Sequence, residues 1–80
     1  MKLSIYSLKK ILFQGEIKLL NCQTTTGEIT VLNNHKPLIS VLKTGVVKAQ
    51  DENNQDHYFQ VSSGFLEIKS TNEARLLVEE

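Results

Sequence analysis

An all-β fold, a sandwich or a small barrel, follows from three features of this 80-residue chain. Turn signals recur about every 8 to 12 residues. The apolar segments between them are short, and several alternate with period two. Val, Ile and Thr contribute six residues each, against two Ala, a mix that suits strands better than helices.

Leu3-Ser4-Ile5-Tyr6-Ser7-Leu8 alternates, with Leu3 and Ile5 on one face, and reads as the first strand. Lys9-Lys10 interrupts it, and Ile11-Leu12-Phe13 runs on to a stop at Gln14-Gly15. From Glu16 to Thr24, Ile17 and Leu19 share one face with Asn21 and Gln23, and Lys18, Leu20 and Cys22 take the other. Both faces are thus partly apolar, as in a sandwich strand with one covered edge. Thr24 to Glu28 turns at Gly27, and Ile29 to Leu32 is a short strand. Pro37 lacks an amide donor, so Asn33 to Pro37 is not central strand. Leu38 to Leu42 is a strand or a single helical turn. Lys43-Thr44-Gly45 turns the chain into a strand at Val46 to Gln50. Asp51 to Asp56 has no apolar residue and forms a hairpin tip, with His57 to Val61 as its return strand. Ser62-Ser63-Gly64 breaks that strand, Phe65 to Lys69 alternates, Thr71-Asn72-Glu73 turns, and Ala74 to Val78 is last. The length allows a single domain, spanning residues 1–80, with a small core and modest stability.

Nine basic residues balance nine acidic ones, leaving no electrostatic footprint for nucleic acid. The lone Cys22 excludes an internal disulfide and a multi-cysteine metal site. No apolar run approaches the roughly 20 residues that span a bilayer as a helix. The first residues, Met1 to Tyr6, lack a signal peptide's apolar stretch, so a reducing cytosolic location is the default. His35 and His57 have no zinc-like spacing, and Cys22 is read as a small buried hydrophobe rather than half of a Cys–His dyad. His57 beside the polar loop reads as a solvated hairpin residue, and Glu67 as outward-facing. Gly27, Gly45 and Gly64 read as isolated turn glycines with positive φ, outside any phosphate-cradling pattern. The five aromatic residues lack interleaved arginines, Arg75 being the sole one, so core or interface packing is favoured over base stacking. These features describe a small β domain that works by being held against something. They predict no catalytic residue, no metal ligand and no cofactor-binding residue.

Gly27-Glu28-Ile29-Thr30-Val31-Leu32-Asn33-Asn34-His35-Lys36-Pro37-Leu38 resembles the signature of the epsilon subunits of F-type ATP synthases, called delta in mitochondria. That family shows Gly-Glu-x-Gly-Ile/Val, a proline-rich turn, then His-x-Pro-Leu. Gly27, Glu28, Val31, His35, Pro37 and Leu38 match, whereas Thr30 stands for the second glycine and Asn33 for a proline. The backbone at Thr30 must therefore be one that a β-branched residue can adopt. Leu3 to Ser7 followed by Leu12-Phe13-Gln14-Gly15-Glu16 is similar to the family's first hairpin. Lys43 to Val47 resembles its Pro-Gly-x-Ile/Val turn and strand, and Ser63 to Ile68 its Gly-Gly-Phe/Ile-Leu-Glu-Val.

The resemblance implies a flattened β-sandwich of about ten short strands in two layers, without the helical hairpin that family members carry after it. It implies a non-catalytic rotor subunit that joins the gamma subunit to the membrane c-ring and, through gamma, to the alpha/beta head. Such a subunit couples proton or sodium transport to ATP synthesis. It would be peripheral on the cytoplasmic face of the bacterial inner membrane, or on the stroma or matrix side in an organelle, and held at the membrane by partners only. Thr26, Gly27, Glu28 and Thr30 would meet the c-ring. His35, Pro37 and Leu38 would form a structural or gamma-interface turn. The alternative is a free-standing β-sandwich adaptor that binds a protein or peptide at a sheet edge. A nucleic-acid-binding barrel and an enzyme follow behind.

Overall fold

The apolar alternation resolves into eight strands in a computed structural model that describes residues 1–80. They are β1 (Lys2–Tyr6), β2 (Ile11–Thr24), β3 (Gly27–Leu32), β4 (Leu38–Leu42), β5 (Gly45–Asp51), β6 (Asp56–Val61), β7 (Ser63–Lys69) and β8 (Glu73–Glu79). Leu38 to Leu42 is therefore strand, not a helical turn. The all-β sandwich is as expected, with eight strands in place of about ten. Gly15 does not end a strand: it pairs with Leu3, and Ile11 to Thr24 runs through it unbroken. Ser62 alone separates β6 from β7, so Gly64 lies inside a strand rather than in a break.

The long β2 belongs to both layers. Its first half pairs with β1, in the layer ordered β4-β7-β8-β1, where β1 runs parallel to β8. Its second half lies between β3 and β5, in the layer ordered β3-β2-β5-β6. A Thr24–Leu42 bridge ties its end back to β4. Extents of 26 × 22 × 19 Å make the sandwich only slightly flattened.

One register shift decides the core. Ile17 pairs with Asp51 and Leu19 with Gln50, so Lys18 is the extra residue of a bulge. Beyond it the inward parity changes, and Ile17, Leu20, Cys22 and Thr24 are all fully buried. Period-two counting places Ile17 and Leu20 on opposite faces; the bulge brings them into one core. Leu3, Ile5, Val31, Val61, Leu66 and Leu76 complete the fully buried large side chains. Each Leu, Ile or Val among them contributes about 1.5–3 kcal/mol through its removal from water. The Met1 ammonium donates to the Ile17 carbonyl (3.1 Å) and to Asn33 Oδ1 (2.6 Å), tying β1 to β2 and to the turn after β3.

Gly45 corrects another expectation. It is not among the positive-φ residues; a Cβ there would stand 2.9 Å from Gln23 Cγ, so the glycine serves close packing. His57 is also not simply solvated. Its Nε2–H donates to Asp51 Oδ2 at 2.8 Å, and its ring centroid lies 5.2 Å from that of Phe13. The hairpin tip is built round the same carboxylate, whose Oδ1 accepts the amides of Asn53 (2.8 Å) and Gln55 (3.0 Å).

Candidate functional site

The hairpin between β2 and β3 is rigid for local reasons. Thr24 is buried, and its hydroxyl donates to the Gly27 carbonyl at 2.6 Å while accepting the Thr26 amide at 3.2 Å. Thr26 Oγ1 lies 3.1 Å from the same oxygen. This arrangement holds Gly27 at φ 125°, a conformation that glycine alone adopts without strain. The tip is also tied to the end of β4, through Thr25 N–H to the Val41 carbonyl (3.0 Å) and Lys43 N–H to the Gln23 carbonyl (3.1 Å).

Four predicted contact residues sit together here. Thr26 lies in the exposed two-residue turn with Thr25, and Gly27, also exposed, opens β3. Glu28 is exposed, accepts a hydrogen bond from Gln23 Nε2 at 3.4 Å, and enters none of the chain's ion pairs. Thr30 lies in ordinary strand opposite Asn21, whose Nδ2 donates to its hydroxyl at 3.0 Å. The backbone there suits a β-branched residue, as its place in the motif requires. The tip can thus offer one unneutralised carboxylate on a stiff support.

His35, Pro37 and Leu38 lie at the other end of β3, roughly 17 Å away at the rise of an extended strand. His35 is exposed, and its Nδ1–H donates to the Lys36 carbonyl at 2.7 Å, so the ring holds the turn. Pro37 is exposed, while Leu38 is half-buried and packs against the core. The structure therefore separates the two predicted groups.

The nucleophile candidate has no chemical setting. Burial pushes the Cys22 thiol up to about 12, so it stays protonated at neutral pH. His35 and His57 hydrogen-bond to Lys36 and Asp51, not to Cys22.

A surface that residue-by-residue reading passed over lies on the outside of β4, β7 and β8. Val41 pairs with Phe65 and Phe65 with Leu77, and all three face solvent at 45%, 57% and 48% exposure. Ile39 extends this row along β4, and Leu8 projects beside it at 89% exposure. An open recess of about 250 Å³ lies among Leu8, Val41, Gly64, Phe65 and Leu77. The signal was present in sequence as adjacent apolar pairs such as Phe65-Leu66 and Leu76-Leu77. Such pairs mean that both faces of a strand are apolar. The outer face of the other layer is wetter: Asn21–Thr30 and Gln23–Glu28 bond to each other across it, and Lys48 lies 3.9 Å from Asp56.

Residues 1–80 match the family model described as ATP synthase, Delta/Epsilon chain, beta-sandwich domain. The ATP synthase epsilon chain of Psychrobacter arcticus is 40% identical over 65 residues, covering 81% of this chain and 47% of the relative. That of Alkalilimnicola ehrlichii is 35% identical over 65 residues, covering 81% and 46%. The chain thus spans about half the length of these curated relatives. Among solved structures, a chain of the Euglena gracilis mitochondrial ATP synthase OSCP/F1/c-ring assembly superposes with a TM-score of 0.92 at 20% identity, covering 98% of this chain and 49% of the other. A chain of the Tetrahymena thermophila mitochondrial ATP synthase central stalk and c-ring does so with 0.85 at 15% identity, covering 100% and 63%. At these identities the superpositions speak for the fold.

Proposed function

Because this chain belongs to the ATP synthase delta/epsilon family, as its β-sandwich domain, we propose that it is a non-catalytic subunit of the central stalk of an F-type ATP synthase. It joins the gamma subunit to the c-ring and acts on the alpha/beta head only through gamma. Its task is mechanical: torque from a proton or sodium flux passes through it without any bond being made or broken. It works at the membrane through its partners, on the side where the catalytic head stands. That side is the cytoplasm in a bacterium and the matrix or stroma in an organelle.

The observation that carries this reading is the β2–β3 tip. A stiff, exposed turn presents the Glu28 carboxylate without a basic partner of its own. Against the polar, basic loops of a c-ring, that carboxylate would make charge-assisted hydrogen bonds and fix the rotational register. The β2–β3 tip is thus the ring-facing end, with Thr26, Gly27, Glu28 and Thr30 in contact. The His35–Pro37–Leu38 turn at the far end of β3 leads straight into β4 and belongs to the gamma side. Single Cys substitutions at Thr26, Glu28 and Thr30 should each cross-link to a cysteine placed in the c-subunit loop of the assembled complex. Cross-links that form only to gamma, or only from the Asp51–Asp56 hairpin, would overturn this placement.

A further inference from the structure

We propose that the α-amine of Met1 is a modification-sensitive lock: as an ammonium it closes the junction of β1, β2 and the β3–β4 turn, and an acyl group on it opens that junction. The three protons of the ammonium meet three acceptors: the Ile17 carbonyl at 3.1 Å, Asn33 Oδ1 at 2.6 Å and the Glu16 carboxylate at 3.4 Å. The first of these closes a two-way pair, since the Ile17 amide donates to the Met1 carbonyl at 2.8 Å. Met1 is buried, and Ile17 opposite it is fully so, just ahead of the Lys18 bulge. The β7–β8 turn joins the same corner. Asn72 accepts the Lys2 amide on its carbonyl (3.2 Å) and the Asn34 amide on Oδ1 (2.7 Å). Asn33 and Asn34 are thus fixed by the amine on one side and by Asn72 on the other, with Asn34 held at φ 62°. An acylated nitrogen is uncharged and keeps one N–H for these three acceptors. Its new carbon, bound at about 1.33 Å, takes the direction of one of them. The pairing with Ile17 retains the remaining N–H, so the part-buried Asn33 Oδ1 loses its donor. Transfer of an acetyl group from a thioester forms the N–C bond and breaks the C–S bond. It takes two protons from the ammonium, one onto the departing thiol and one into water. The transfer must precede folding, because the closed junction covers the nitrogen.

The test compares full chains assembled by joining synthetic residues 1–21 to residues 22–80 at Cys22, so that Met1 alone is altered. N-acetylation should lower Tm by about 10 °C. Replacing the amine of Met1 by hydrogen, which removes the charge and adds no bulk, should lower it nearly as far. In an Asn33→Ala chain, acetylation should cost less than half as much, because the acceptor is already gone. Hydrogen exchange supplies a local readout. Acetylation should speed exchange of the Lys2 and Asn34 amides by about tenfold and leave the amides of the β5–β6 ladder unchanged. A Tm shift below about 3 °C on acetylation would overturn the proposal. So would an equal loss with and without the Asn33 side chain, or a loss on acetylation that removal of the amine does not reproduce. Should the acetylated chain fail to fold, Asn33→Ala with a free amine carries the test. It should melt below the parent with faster exchange at Lys2 and Asn34, and unchanged exchange there would equally overturn the lock.

Discussion

Three glycine-to-alanine substitutions separate the two ways in which a backbone can demand glycine. Gly64 has φ 156°, and an added Cβ would meet the Leu77 carbonyl oxygen at 2.3 Å and Val78 Cα at 3.0 Å. Gly27 has φ 125° but no atom within 4 Å of the added Cβ. Gly45 has no positive φ, and its Cβ would press on Gln23 Cγ at 2.9 Å, in a side chain that can move. Gly27→Ala therefore pays only for conformation, about 1–2 kcal/mol. Gly64→Ala adds an overpacking cost against the backbone of β8, of about 1–3 kcal/mol, and reaches about 4 kcal/mol in all. Gly45→Ala also gains from a stiffer unfolded chain and should fall within about 1 kcal/mol of neutral. For a domain of this size, each kcal/mol shifts Tm by about 4–8 °C. Gly64→Ala should then melt roughly 25 °C lower, Gly27→Ala about 10 °C lower, and Gly45→Ala within about 6 °C of the parent. Urea titrations followed by circular dichroism at 25 °C give the free energies directly. If Gly64→Ala proves no less stable than Gly27→Ala, the close approach of β7 to β8 is not what selects glycine at position 64.

Other perturbations test the tip, the β5–β6 hairpin and the core. Glu28→Lys should weaken c-ring attachment and coupling through repulsion, Glu28→Gln should do less, and both should keep gamma affinity and the melting curve; a loss of gamma binding with intact ring attachment would contradict the orientation of the tip. The His57 hydrogen bond, followed by the Gln55 amide, holds the Asp51 carboxyl below the ordinary aspartate value of 3.8. A depressed folded-state pKa supplies stability above the unfolded value that is lost as pH falls through the folded one. The parent's urea midpoint should therefore drop below about pH 4, and Asp51→Asn should flatten that acid limb; an unchanged limb would place the acid sensitivity elsewhere. Cys22, with its thiol pushed up to about 12 by burial, should resist a thiol reagent at pH 8 in the folded chain and react fully in denaturant. Rapid labelling under native conditions would show that the core opens around β2.

Strand placement and turns were legible in the residues because both are local. Alternation at Leu3–Ile5, the polar run from Asp51 to Asp56 and the punctuation at Gly27, Pro37 and Asn72 each act within a few positions. The motif from Gly27 to Leu38 was legible for the same reason, since its turn, strand and second turn are contiguous. Parity along β2 was not. The bulge at Lys18 arises from pairing with β5, some 30 residues downstream, and it brings Ile17 and Leu20 into one core that counting by twos had divided. The merging of two short strands into one was likewise a tertiary outcome, because only β1 alongside explains why Gly15 continues the ladder. His57 could not be read as half-buried until Phe13 and Asp51 were brought to it. The largest gap was the outer face of β4, β7 and β8. Composition shows that Val41, Phe65 and Leu77 are apolar, but their alignment in one solvent-facing row depends on two strand registers. Periodicity tells which side chains share a side of their own strand. Which sides meet in a core, and which stay open for another protein, is decided only when the strands pair.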